Sequence, residues 1–125
     1  VVRKVADVPE PQVRTSGVPS GTNLLGLVKH LTHVERFYFL GEPIHNLRRT
    51  MRPTATETLD GLLAGYREAV ERANDVIAAC TDLTLPIARG RPAMRWVLVH
   101  MIEETGRHAG HADILREQID RSVGR

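Results

Sequence analysis

An all-α fold, a bundle of four helices, is what this sequence predicts. Three observations predict it: apolar residues recur at helical spacing in three long stretches, no stretch alternates with a period of two, and the prolines fall between the helical stretches. Aromatic residues make up only 4% of the chain. A core of Leu, Val, Ile and Ala must gain its burial energy from many modest aliphatic contacts, which suits helices packing ridge into groove. With 125 residues the chain has the size of a single domain, taken as residues 1–125.

The first helix is short. Val1 to Val8 have the character of its last turns, stopped by Pro9 and Pro11, and the expectation is that the numbering starts partway into the native protein, leaving this helix truncated. Pro19-Ser20-Gly21-Thr22 forms a turn in which Thr22 is positioned to cap the first long helix. Leu24, Leu27, Val28, Leu31, Val34 and Tyr38 supply its apolar stripe, and Gly41 and Pro43 close it. The arginine-rich stretch from His45 to Pro53 has no defensible period and is expected to be a loop. Thr54-Ala55-Thr56-Glu57 fits a capping box for the next helix, whose stripe is Leu59, Leu62, Leu63, Tyr66, Val70, Ala73 and Ile77. A second loop holds Pro86, Gly90 and Pro92. Beyond it Met94, Val97, Leu98, Met101, Ala112, Leu115 and Ile119 mark the last helix.

Composition excludes several function classes. The net charge is +2, and basic residues are interspersed with acidic ones, so the surface gives little electrostatic reason to expect nucleic acid. The single cysteine, Cys80, excludes an intrachain disulfide and a multi-cysteine zinc ribbon, and it fits a reducing cytoplasm. No stretch approaches the roughly 20 apolar residues needed to span a bilayer, and no signal segment opens the chain. The expectation is a cytoplasmic protein with no membrane partner.

Function is carried by polar residues placed on apolar faces. In the last helix Glu104 and His108 are four residues apart, hence on one face, and both fall within the sector swept by Met94, Val97, Met101, Leu115 and Ile119. An ionised carboxylate in a bundle core costs on the order of several kcal/mol unless it is paired, hydrogen-bonded or bound to a cation. In the first long helix His30 flanks the apolar face beside Leu27 and Val34, whereas His33 lies on the far side with Lys29 and Arg36. His30, Glu104 and His108 could therefore converge as three nitrogen and oxygen ligands for one divalent metal, zinc first and nickel second, with positions left open as in a catalytic site. The alternative is a non-catalytic helical protein in which the same residues form a polar network or a structural metal site. His33, His45 and His100 are expected at the surface or its border. Gly106 and Gly110, four apart on the back of the last helix, would permit close helix contact.

Two segments are distinctive together: Pro19-Ser20-Gly21-Thr22-Asn23-Leu24-Leu25-Gly26-Leu27-Val28-Lys29-His30-Leu31 and the run from Arg95-Trp96-Val97-Leu98-Val99-His100 through Glu103-Glu104-Thr105-Gly106-Arg107-His108 to Arg116-Glu117. They resemble the DinB-like superfamily and, within it, an actinobacterial branch related to the metal-binding domain of mycothiol-dependent maleylpyruvate isomerase. The match runs from Val18 onward. It implies a four-helix bundle with one long crossover and a divalent metal held by a His of the second helix and two residues of the last. His30 matches the first of these, and Glu104 and His108 match the isomerase's Glu and His four residues apart. The resemblance covers the metal-binding domain alone, so the isomerase's own reaction is not carried over. More broadly it implies metal-assisted use of a low-molecular-weight thiol such as mycothiol against an electrophilic small molecule, in a homodimer. On that reading His111, one turn beyond His108, is the candidate for a supporting hydrogen bond or proton transfer.

Overall fold

The computed structural model describes residues 1–123, and among these it contains five α-helices and no strand. In chain order they are α1 (Val2–Val5), α2 (Leu24–Leu40), α3 (Leu47–Thr50), α4 (Leu59–Ala78) and α5 (Met94–Asp120), with a 3-10 turn at Gln12–Arg14. The one-turn α1 packs against α5 and α2. The stretch from His45 to Pro53, expected to be a loop, contains the one-turn helix α3. Asn46 initiates the turn by accepting a hydrogen bond from the Arg49 amide, a cap too short to leave any periodicity.

Cap positions also differ from expectation. Asn23, not Thr22, caps α2, its Oδ1 accepting from the Gly26 amide at 2.8 Å. Thr22 instead bonds the Ser20 hydroxyl. At α4 the Glu57 carboxylate does reach back to the Thr54 amide, but this closes a turn ahead of the helix, and Thr58 is the cap. Gly41 ends α2 as expected, in the left-handed conformation at φ 74° that a side chain disfavours.

Ion pairs reveal the topology. Lys29–Glu57, Arg36–Glu68 and Glu42–Arg72 advance together along α2 and α4 and the residues just outside their ends, so the two helices run parallel and the connection between them is a crossover. His30 faces Glu104 while Tyr38 faces Trp96, so α2 and α5 run antiparallel. Lys4 of α1 pairs with Asp113 of α5, and Arg116 donates to the Lys4 and Ala6 carbonyls.

The buried residues form two apolar clusters. One gathers Val5, Val13, Leu24, Val28, Leu63 and Leu115, and the other Val34, Phe39, Ala73, Met94, Val97 and Met101. Along α2, position 30 falls between 28 and 34; along α5, positions 104 and 108 fall between 101 and 115. Both clusters thus flank one polar interval, and that is where the candidate site lies.

Candidate metal centre

His30 is buried because Leu27 and Val34 on either side of it are core residues, and Glu104 and His108 are buried because Val97, Met101, Ala112 and Leu115 hold their face of α5 against α2. The structure brings all three together. Nε2 of His30 lies 3.0 Å from Oε1 of Glu104, and Nε2 of His108 lies 3.1 Å from the same oxygen. The imidazoles meet edge to face with centroids 4.8 Å apart. One ligand atom from each of the three falls within 4.8 Å of the others, a spacing that could hold a metal ion.

The outward atoms of the three residues are engaged as well. Nδ1 of His30 meets Thr50 Oγ1 at 2.7 Å, and that hydroxyl donates its own proton to the Leu47 carbonyl at 2.6 Å. A hydroxyl whose proton is committed can only accept, so His30 carries its proton on Nδ1. Nδ1 of His108 meets Nδ1 of His111 at 3.3 Å, and Arg107 donates to Oε2 of Glu104 at 3.2 Å. A ligating histidine that spends its other ring nitrogen on a hydrogen bond presents its free lone pair to the metal. The Nε2 lone pair of a neutral His30 here points at a carboxylate oxygen. Two acceptors at that distance repel unless a cation stands between them or His30 takes a second proton, so the donor set fits a metal.

Charge follows the same geometry. Burial opposes ionisation of Glu104, but the His30 and His108 imidazoles beside it outweigh that and hold its carboxyl below the usual range. Burial, with His30 adjacent, pushes His108 below the ordinary imidazole value, towards the neutral form that binds metals.

The other sequence candidates are spread out. His111 is exposed and His33 is half-buried, while His45 is exposed on the crossover. His100 lies nearer the amino end of α5, stacked on Trp96 with centroids 4.9 Å apart and beside Tyr38 at 4.8 Å. Gly106 and Gly110 face open space, so among the described residues no helix uses them for close approach. Thr50 went unnoticed in the sequence. It sits 20 residues from His30 in a stretch without periodicity, and nothing short of the folded crossover links them.

Among the described residues no helix is long and apolar enough to cross a membrane. A family model described as Mycothiol-S-transferase matches residues 1–121. Searches of curated proteins and of solved structures return no match. The match takes in α1 through α5 and with them every residue of the His30–Glu104–His108 cluster; the chain belongs to the mycothiol-S-transferase family, whose DinB-like helical fold it shares.

Proposed function

We propose that this chain is a divalent-metal-dependent transferase or isomerase that uses a low-molecular-weight thiol such as mycothiol against an electrophilic small molecule in the cytoplasm. The observation that carries the reading is the convergence of His30 Nε2, His108 Nε2 and a Glu104 carboxylate oxygen, each backed by an outer hydrogen bond. Two imidazoles and a carboxylate suit zinc first and nickel second. When bound, such a cation supplies Lewis acidity that lets a thiol lose its proton near neutral pH.

The residues divide the remaining work. Thr50 fixes the ring and tautomer of His30, and Arg107 holds the second oxygen of Glu104. If His108 turns Nε2 to the centre, its Nδ1–H donates to Nδ1 of His111, which leaves a neutral His111 with its proton on Nε2. His111 then acts as a hydrogen-bond or proton donor at the rim, the role the sequence suggested in outline. Buried apolar clusters on both sides keep bulk water from the helix faces behind the ligands.

The distances of 3.0 and 3.1 Å also suit a closed hydrogen-bonded network in which His30 is an imidazolium paired with Glu104, the non-catalytic alternative. Elemental analysis separates the two. Purified wild type should carry about one zinc or nickel per chain, and His30→Ala and His108→Ala should lose it while remaining helical by circular dichroism. Wild type that stays metal-free after incubation with zinc or nickel at neutral pH would leave the network reading in its place.

A further inference from the structure

Two clefts open beside the centre and share Ser20 and Thr22 in their walls. One, of about 300 Å³, is lined by Val18, Ile114 and Leu115 together with His111. The other, of about 340 Å³, is lined by Arg48, Arg52, Met51 and Gly21. Their volumes lie at the lower end of small-molecule sites. The first is apolar apart from His111 and the two hydroxyls, and His111 is the residue whose Nδ1 meets His108. The second contains two guanidinium groups, and neither lining includes a carboxylate.

Five arginines among the described residues form ion pairs: Arg14 with Glu10, Arg36 and Arg72 with Glu68, Arg107 with Glu104, and Arg116 with Asp120. Arg48 and Arg52 do not. Neither has an ion-pair partner among the described residues, and both line the same cleft. Four residues apart on the crossover, Arg48 in α3 and Arg52 just beyond it, they present two forks whose geometry matches a carboxylate or phosphate; Ser20 and Thr22 bond each other, so one of their two hydroxyls has a proton left to donate.

We propose that the two clefts together bind an elongated organic anion, its carboxylate or phosphate end on Arg48 and Arg52 and its apolar body over Val18, Ile114 and Leu115, with the far end at His111. That this anion is the electrophilic substrate rests on the function proposed above; that the clefts bind it does not.

Calorimetric titration of the metal-free full chain tests the binding directly, with octanoate, octyl phosphate and inorganic phosphate as probes. At least one of the two amphiphiles should bind with one-to-one stoichiometry, and the tighter of the pair identifies the head group. Arg48→Gln/Arg52→Gln should weaken that binding about tenfold or more, Arg48→Lys/Arg52→Lys should retain most of it, and Ile114→Asp should abolish it. Inorganic phosphate should bind at least about tenfold more weakly than octyl phosphate, because it lacks the apolar body. Absence of binding to wild type, unchanged affinity in the double Gln variant or in Ile114→Asp, or phosphate binding as tightly as octyl phosphate would each overturn the proposal. All three altered side chains are exposed, so the variants should fold. Metal content of the same preparations, measured separately after loading, reports on the centre independently of the clefts.

Discussion

Thr50 Oγ1 sits 2.7 Å from Nδ1 of His30 and hands its own proton to the Leu47 carbonyl, so one hydroxyl on the crossover sets the tautomer of a buried histidine on α2. Outer partners of this kind contribute about 10–100-fold to metal affinity. Thr50→Ala should lower zinc affinity by that amount in competition with a chromophoric chelator, and Thr50→Ser should stay close to wild type. Equal affinity in the Ala variant would remove Thr50 from the centre.

Gly26 governs the same contact from the other side. A Cβ at this position would overlap the Met51 carbonyl, a backbone atom with no rotamer to escape into. Gly26→Ala should therefore push α3 off α2, cost about 1–3 kcal/mol in urea denaturation, and weaken metal binding together with stability. An unaffected metal affinity would mean that α3 can shift without moving Thr50.

Glu35 predicts a pH dependence. Burial raises its carboxyl from 4.5 to about 7, so the folded state holds this proton over a range where the unfolded chain has released it. Its contribution to stability is fully present below about pH 4.5 and is lost as pH rises towards 7. Glu35→Gln should be more stable than wild type at pH 8, on the order of 1–3 kcal/mol, with the difference shrinking by pH 5. Denaturant midpoints at both pH values check it, and a pH-independent difference would sink it.

Asn23 and Thr22 separate the observed cap from the expected one. Asn23→Ala removes the acceptor for the Gly26 amide and should cost about 1 kcal/mol, while Thr22→Ala should be close to neutral. A reversed order in thermal denaturation would show that the cap lies at Thr22 after all.

Along the outer side of α5, Trp96, Val99 and Ile102 are 50%, 53% and 73% exposed, with Gly106 and Gly110 offering open backbone beside them. We propose this face as the contact of a homodimer. Light scattering behind gel filtration should show a dimer for wild type and a monomer for Ile102→Glu, and a monomeric wild type would end the proposal.

The candidate ligands were legible because helix periodicity is a local property. An i, i+4 carboxylate and imidazole inside an apolar stripe must be buried wherever that stripe is buried, so Glu104 and His108 stood out, and His30 did so against Leu27 and Val34 by the same reasoning. Caps were harder to place: Thr22 and Asn23 are adjacent and each offers a side-chain oxygen that can cap a helix, and the observed backbone distinguishes them, Asn23 being extended at φ −139°. The capping box at Thr54 formed its bond yet did not start the helix, since Thr58 offered a second acceptor four residues on.

By itself the sequence determined the helical class, the apolar faces of α2, α4 and α5, and the three polar residues those faces would bury. Each of these follows from spacing within one segment. Tertiary structure decided the parallel course of α2 and α4, the turn of helix at Leu47–Thr50, the bond between Thr50 and His30, and the meeting of Arg48 and Arg52 with the Ser20–Thr22 turn. The contact between His30 and Glu104 spans 74 residues. The energy that closes such contacts comes from burying the two apolar clusters, and neither cluster exists until separate segments have docked.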